Sequence, residues 1–282
     1  MAQQEMRFLL AWCDRDEAVQ IQLGSRVPNQ GEDTSSQVQS WTIARERLQA
    51  RPAYNLPTPT LEPLPEELRA RGEALLQRPD VTGAFAGYNL SVGMANLHNV
   101  LSFQKNILAD GVERVSTVDL GDPQALFSAC LPDAAEPIQM SGLLDNDGKA
   151  FSISSTNPNL RIMGSQLANI NGQPFYGFAI GFGLPFVQVV EYQGRWFIRD
   201  GYHRTFGLLR KGAERIPCLF IRAHDAQQFG GTAPLHIRGE TLFGAHPPFL
   251  KDFLDDEVSA SAVRPLTGKV LRIAASEFNI HL

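Results

Sequence analysis

The side chains best suited to chemistry stand together in the segment FIRDGYHR, residues 197–204. An apolar run ends there, and the pattern of RTFGLLRKG predicts a helix that begins directly afterwards and ends at a glycine. The turn before that helix contains an acid, a glycine and two cationic donors: Asp200, Gly201, His203 and Arg204. Because the first amides of a helix carry partial positive charge, these residue types in this order fit the binding of an anion such as phosphate.

The acid of this segment needs a separate explanation, because Asp200 would repel a bare phosphate. Its carboxylate fits three roles: holding Arg204, capping the helix, or binding a Mg²⁺ ion that bridges phosphates. Thr205, at the helix start, adds a hydroxyl contact. The plain alternative is a capped helix with an exposed His and Arg, and the residues alone leave both interpretations open.

Composition and charge describe an ordinary globular protein. The chain has 282 residues, of which 43% are hydrophobic and 20% charged, and its net charge is −5. A broadly basic surface for sequence-independent DNA binding is therefore not expected, although a local basic patch would allow DNA as a partner. No apolar run of about 18 residues occurs, and the start lacks a leader pattern, so we expect no membrane span and a cytoplasmic protein.

The cysteines and histidines have no metal-binding or disulfide spacing. Cys13, Cys130 and Cys218 are odd in number and far apart, which fits a reducing compartment. The histidines at 224, 236 and 246 are each about ten residues apart, whereas metal sites use closer pairs. The sequence therefore predicts no metal site built from protein ligands alone.

In the first half of the chain, the patterns predict a short strand at residues 7–13 and a long polar loop or arm at 20–60. They predict helices from residue 65 and over 91–108. A strand at 112–120 and a short helix at 122–131 follow.

In the second half, strands are predicted at 150–156 and through the glycine- and aromatic-rich stretch 175–200, with a hairpin turn at Gln193 and Gly194. The unit around the turn at Gly201 is then strand, helix, strand. A helix within 247–258 and a strand from residue 269 complete the chain.

The stretch FIRDGYHRTFGLLRKGAERIPCLFI, with the hairpin before it, resembles the signature of the ParB/sulfiredoxin superfamily: strand, D-G-x-H-R, helix, Gly, I-P, strand. The resemblance covers residues 187–221, and it extends over 112–223 if VSTVDL is the earlier strand of the same fold. Members of that superfamily hold the phosphates of a nucleotide with this loop. The resemblance thus implies phosphate contact by Gly201, His203 and Arg204.

Departures from the family patterns narrow the activity. Sulfiredoxins place their catalytic cysteine immediately before the His of the loop, where this chain has Tyr202, so peroxiredoxin repair is disfavoured. CTP-binding ParB proteins carry G-E-R-R-type loops and a helix-turn-helix, and neither is visible here. The motif is most similar to the free-serine-kinase-like and DGQHR-type members. A kinase also needs a general base, for which Glu113 and Glu191 are the candidates.

These observations predict an α+β protein centred on a ParB/sulfiredoxin-like mixed sheet with packed helices. The expected parts are an N-terminal helical arm (1–111), a nucleotide-binding module (112–223) and a C-terminal extension (224–282). The expected catalytic groups are Asp200, His203 and Arg204, and Thr205 joins Gly201, His203 and Arg204 in phosphate binding.

The expected ligand is ATP, ADP or CTP with Mg²⁺, used for phosphoryl transfer or nucleotide hydrolysis by a hydrolase or small-molecule kinase. The alternative is a non-catalytic, nucleotide-gated or DNA-associated module in a modification, partition or defence system. A small molecule or another protein is expected as a further partner, and the sequence also allows a homo-oligomer.

Overall fold

A computed structural model of the chain describes residues 3–57, 59–108, 112–133, 141–145, 148–155, 160–230, 237–265, 269–274 and 276. The chain divides into two compact units. The first comprises Met1–Asp133 and Phe186–Pro265, and the second Ala134–Pro185 and Leu266–Leu282. This division differs from the three consecutive segments expected from the sequence, because strands from the expected arm and the expected extension belong to the sheets of the first unit.

The described elements follow one another along the chain as strands, α-helices and short 3-10 helices. The first half contains β1 (Gln3–Phe8), a 3-10 turn (Leu10–Trp12), α1 (Arg15–Gln22), α2 (Ser35–Gln49), α3 (Glu66–Gln77), α4 (Pro79–Ala84), β2 (Asn89–Asn96), a 3-10 turn (Leu97–Asn99), β3 (Leu101–Ser102), β4 (Asn106–Leu108) and α5 (Pro123–Cys130). The second half contains β5 (Ser141–Leu144), β6 (Ala150–Ser155), β7 (Leu160–Ile170), β8 (Gln173–Phe182), β9 (Gln188–Tyr192), β10 (Arg195–Asp200), α6 (Tyr202–Arg210), β11 (Arg215–Arg222), α7 (Ala226–Phe229), α8 (Gly239–Leu242), a 3-10 turn (Leu250–Leu254), β12 (Ala260–Pro265) and β13 (Lys269–Ala274).

The first unit is built on a mixed sheet of five strands in the order β2-β11-β9-β10-β3. Strands β9 and β10 form the predicted hairpin, and both turn residues, Gln193 and Gly194, have positive φ angles (51° and 74°). Helix α6 then crosses over to β11, which pairs parallel to β9 and antiparallel to β2. The six central residues of β11 are all buried, which explains why its sequence, RIPCLFIR, is continuously apolar between its two arginines.

A second sheet of the same unit pairs β1 antiparallel with both β12 and β4. Aromatic side chains fill much of the core: Phe197 is fully buried, and its ring centroid lies 4.8 Å from that of Phe229 and 5.6 Å from that of Phe243. Phe103 is also within 6.3 Å of Phe197. This cluster lies next to the end of β10, so it fixes the strand from which the DGYHR loop leaves.

The second unit contains a three-stranded sheet, β13-β6-β5, and a long two-stranded hairpin, β7-β8. Asn171 and Gly172 form the tip of the hairpin with φ angles of 52° and 83°, as the tightest hairpin turns require. Most hairpin side chains with described burial are exposed. The strands expected at 150–156 and from residue 269 are confirmed over the described residues 150–155 and 269–274, and they pair with each other.

Five sequence predictions in the first unit are wrong in whole or in part. Residues 20–60 contain helix α2 instead of only a loop, and residues 91–108 form β2, β3 and β4 instead of a helix. Residues 112–120 begin with a helical turn instead of a strand, since Val112 and Val115 are buried three residues apart. The strand expected at 7–13 ends at Phe8, and a 3-10 turn begins two residues later at Leu10. The helix expected within 247–258 is a short 3-10 turn.

The fold class is nevertheless confirmed at its coarser level: the protein is α+β, with mixed and antiparallel sheets and several helices. Helices α3, α5 and α6 begin within a few residues of their predicted starts. The strand, helix, strand order around residues 195–222 is also as expected.

Candidate functional site

Gly201 is the residue on which the geometry of the DGYHR loop depends. It is the N-cap of α6, and its φ of 88° and ψ of 20° place it in the left-handed region. A Cβ atom at this position would lie 3.0 Å from Cγ2 and 3.1 Å from Cα of Val187. Both the dihedral angles and this close approach to a buried backbone would strain any residue other than glycine. The loop therefore lies tightly against the entrance to β9.

Asp200 ends β10 just after an irregularity in the strand. The pairing of β10 with β9 shifts register between Ile198 and Asp200, as in a β-bulge, a feature that often re-aims side chains near functional sites. The Asp200 carboxylate accepts a hydrogen bond from the amide of Gly201 at 2.7 Å. Arg199, inside the irregularity, donates to the side-chain oxygen of the buried Gln188 at 2.7 Å.

His203 lies in the first turn of α6, and a hydrogen bond determines its neutral tautomer. The amide of Leu108 donates to Nδ1 of His203 at 3.0 Å. Because a backbone amide can only donate, Nδ1 is unprotonated and the neutral ring carries its proton on Nε2. When His203 donates to a ligand, it does so from Nε2 while Nδ1 remains tied to the end of β4.

Arg204 joins the first turn of α6 to the end of α5. One of its terminal nitrogens donates to the carbonyl oxygen of Cys130 at 3.3 Å. Arg78 donates to the carbonyl oxygen of Pro132 at 2.9 Å and lies 5.3 Å from the ring centroid of Phe186. Two guanidinium groups thus donate hydrogen bonds to the carbonyl oxygens of residues 130 and 132, beside the segment that leads into β9.

Tyr202 and Thr205 face the interior instead of the solvent. The Thr205 hydroxyl is fully buried and contacts the carbonyl oxygens of Gly201 and Tyr202 at 3.1 and 3.0 Å. The Tyr202 phenol donates to the carbonyl of Ile198 and accepts from the amide of Phe103 at 3.4 Å. Burial raises the pKa of Tyr202 well above its usual value. Both hydroxyls therefore hold the loop in shape.

The structure does not bring the two candidate bases to the loop. Glu191 is paired with Trp196 in the hairpin, whereas Asp200 is paired with Gln188, so three residues, or about 10 Å of strand, separate Glu191 from the loop end. Its carboxylate forms an ion pair with Arg222 at 3.1 Å.

Glu113 is exposed. The residue before it, Val112, lies against Gly207 of α6, because its carbonyl oxygen would be 3.0 Å from a Cβ atom at that glycine. Gly207 is six residues, or about 9 Å along the helix axis, beyond Gly201.

A cavity of about 320 Å³ lies beside α6, and its lining includes Ile107, Phe206, Arg210 and Phe253. Phe206 and Arg210 follow His203 by three and seven residues, so all three lie on one face of the helix. The rest of the lining includes charged groups of both signs, so the cavity suits a small molecule with an apolar body.

The chain also lacks some features that would suggest other chemistries, as far as the described residues extend. Within them, no group of three or more His, Cys, Asp or Glu side chains could hold a metal ion. Among the same residues, no helix is long and apolar enough to cross a membrane. Cys13, Cys130 and Cys218 are all buried as free thiols, and burial raises the pKa of Cys130 to about 12.

Comparisons of the chain with protein families, with curated proteins and with solved structures found no match. The geometry of the loop and the sequence resemblance therefore carry the functional argument.

Sequence reasoning singled out the loop but not the residues that support it, namely Arg199, Gln188 and Arg78. A signal for Arg199 was present, because it stands next to Asp200 in an otherwise apolar strand. Gln188 and Arg78 are brought to this region only by long-range pairing and by packing.

Proposed function

We propose that this protein binds a nucleoside di- or triphosphate through its DGYHR loop, and that its reaction class is phosphoryl transfer or nucleotide hydrolysis. The phosphates rest on the backbone at Gly201 and on the side chains of His203 and Arg204. The resemblance of residues 187–221 to the ParB/sulfiredoxin superfamily supports the same assignment.

One observation carries the proposal: α6 begins at a glycine with no capping side chain, and its first turn contains two nitrogen donors and no acid. Helices α1 and α5 are capped by an aspartate side chain, whereas α2 lacks a capping side chain as α6 does but has no cationic donor in its first turn. A helix start of the α6 type directs its amides towards an anion. Gly201 also keeps the backbone close to β9, so the phosphates would lie at the edge of the sheet.

Each polar group has a distinct role in this proposal. Arg204 offers a planar fork that matches phosphate oxygens, and His203 donates from Nε2. Both groups stabilise negative charge on the transferred phosphoryl group. Asp200 orients the arginine or a metal ion. Thr205 acts through its contacts with the backbone of the first turn.

Mg²⁺ enters the proposal with the nucleotide. This ion is commonly held by one or two carboxylates together with phosphate oxygens and water, so it needs no cage of protein ligands. Asp200, next to the phosphate-binding glycine, is the carboxylate assigned to it.

A nucleotide-gated binding module without turnover is the second candidate, and the positions of Glu113 and Glu191 favour it. Neither carboxylate lies at the loop, and Glu191 is occupied by Arg222. A protein that only binds and releases a nucleotide needs no general base, and its ligand would change its affinity for another molecule. This module would act in a modification, partition or defence complex.

The test is calorimetric titration of ATP, ADP, CTP and GTP, each with Mg²⁺, into the wild-type protein, Arg204→Ala and Arg204→Lys, with products quantified in the same samples. We expect the alanine variant to lose about 10- to 100-fold in affinity, the usual cost of a charge-assisted hydrogen bond. The lysine variant keeps the charge but loses the fork, so its loss is smaller.

Arg47→Ala is the matched control, because it removes an exposed guanidinium from the last turn of a different helix, α2. Circular dichroism of each variant checks the fold, since Arg204 also bonds to Cys130. Product formation would select the enzyme, and binding without product the module. Binding of no nucleotide, or an equal loss in the Arg47 control, would reject the loop as the site.

A further inference from the structure

The β7-β8 hairpin has an unusual composition for a surface element. The 41 residues from 150 to 190 contain one charged residue, Arg161. Exposed strands usually carry charges that prevent association. Within the part of the chain that the structure describes, β7 and β8 pair only with each other, so both of their outer edges are open.

Register places most of the large apolar residues of the hairpin on one side. Ile162 pairs with Ile180, Ser165 with Phe178, and Leu167 with Tyr176. Because side chains alternate across a strand, these pairs lie on a single face. The apolar face is defined here as Ile162, Leu167, Tyr176, Phe178 and Ile180. The opposite face carries one exposed aromatic residue, Phe175, and otherwise mainly small or polar residues, such as Gly164, Gln166, Ala168, Gln173 and Gly177.

The apolar face is largely open to solvent away from the hairpin base. Leu167 is 72% exposed, Tyr176 62%, Phe178 47% and Ile162 45%, whereas Leu160 at the base is fully buried. An isolated two-stranded hairpin is at best marginally stable in water and needs further packing on a hydrophobic face. A contiguous exposed patch of this kind marks an interaction site.

We infer that this face is a self-association surface, on which the hairpin of a second copy of this chain stacks to form a dimer. An uncharged face offers no charge complementarity to an acidic or basic partner, but it is complementary to itself. Two such faces stacked about a two-fold axis give a four-stranded sandwich with the usual spacing of about 10 Å between sheets.

The size of the face sets the strength of this dimer. Each face consists of two strands of about ten residues and covers about 33 Å by 10 Å. Two stacked faces therefore bury roughly 700 Å² or somewhat more in total. Stable complexes usually bury about 1,200 to 2,000 Å², and smaller interfaces are weak and transient. The expected dimer is therefore reversible, with a dissociation constant on the order of micromolar or weaker.

The experiment is sedimentation velocity of the full chain from about 1 to 200 µM, a range that brackets micromolar dissociation. We expect the wild-type protein to shift from monomer towards dimer over this range. The double variant Leu167→Lys/Tyr176→Lys places two charges on the apolar face, at exposed positions, and should remain monomeric throughout.

The matched control is Gln166→Lys/Gln173→Lys, which adds the same charge to the opposite face of the same hairpin. It should dimerise as the wild type does. Circular dichroism confirms that each variant is folded. The inference is overturned by a wild type that stays monomeric at every concentration, by a dimer that survives in the Leu167/Tyr176 variant, or by equal disruption in the two double variants. If the wild type stays monomeric, the partner of the apolar face would have to be a different protein.

Discussion

The side chains of the DGYHR loop and those of the β7-β8 hairpin lie in opposite environments. In the loop, the side chains of Tyr202 and Thr205 are buried and bonded to the backbone, and Gly201 touches Val187. In the hairpin, large apolar side chains face solvent. A region that holds its own groups in place suits a small ligand, whereas a region with exposed apolar groups suits a second protein surface.

The largest contrast between the regions should be in stability. Phe197→Ala removes a fully buried ring at the base of the loop and should lower the free energy of unfolding by about 3–5 kcal/mol. Tyr176→Ala removes a mostly exposed ring from the hairpin and should change it by less than about 0.5 kcal/mol at concentrations where the protein is monomeric. Urea titration followed by tryptophan fluorescence measures both values. Similar losses in the two variants would break the comparison.

The glycines of the two turns give a second test. Gly201→Ala strains the backbone and forces a Cβ against Val187, so we expect a loss of roughly 2–3 kcal/mol. Gly172→Ala at the hairpin tip has the same sign of φ but nothing within 4 Å, so the loss should be about 1 kcal/mol. Thermal denaturation followed by circular dichroism compares them. Equal losses would mean that the contact with Val187 contributes nothing.

The roles of the two ring nitrogens of His203 can be tested separately. His203→Asn keeps an acceptor near the position of Nδ1 for the Leu108 amide but loses the donor at Nε2. It should therefore retain stability within about 0.5 kcal/mol and lose about tenfold in nucleotide affinity. His203→Gln moves the amide group outward, loses the Leu108 bond, and should cost about 1–2 kcal/mol.

Calorimetry and thermal denaturation of both His203 variants measure these effects. The exposed His98 supplies the control, because His98→Asn should change neither quantity. Unchanged affinity in His203→Asn would remove His203 from the ligand site.

The last prediction is that the buried thiols of Cys130 and Cys218 will not react in the folded protein. Burial raises the pKa of Cys130 to about 12, and it also raises that of Cys218. At pH 8 the folded protein keeps both thiols protonated and buried, so a thiol reagent should modify neither until the chain unfolds. Gln166→Cys, on the exposed hairpin, should be labelled rapidly in the same assay. Rapid labelling of native Cys130 would show that the region behind Arg204 opens readily.

Sequence reasoning worked where structure is local. Helices α3, α5 and α6 were predicted because proline, cap residues and apolar spacing all lie within the helix itself. The turn at Gln193 and Gly194 and the glycine of the DGYHR loop were also readable, since each needs a backbone conformation that few residues adopt.

Sequence reasoning failed where contacts with distant segments decide the local structure. Met94, Leu97 and Leu101 recur at helical spacing, but residues 89–96 pair with all eight residues of β11, and this long-range ladder overrides the local pattern. In helix α2, only Ala44 and Leu48 are buried in the core. It is held by side chains that reach another segment, such as Trp41, which donates to the carbonyl of Cys13 at 3.0 Å. Neither partner can be read from the local sequence.

The candidate site shows the same division. The residues of the DGYHR loop are contiguous, so their proximity was certain from the sequence. The separation of Glu191 from the loop depends on which residue of β9 faces Asp200, and register of this kind is decided by the whole sheet.

The buried phenol of Tyr202 has a consequence for how the loop communicates with the rest of the chain. Its oxygen accepts from the amide of Phe103, whose carbonyl in turn accepts from the amide of Ile237. A ligand that steadies the first turn of α6 will therefore slow hydrogen exchange at residue 103, about a hundred positions earlier in the chain. The amide of Phe103 is thus a remote reporter of events at the loop.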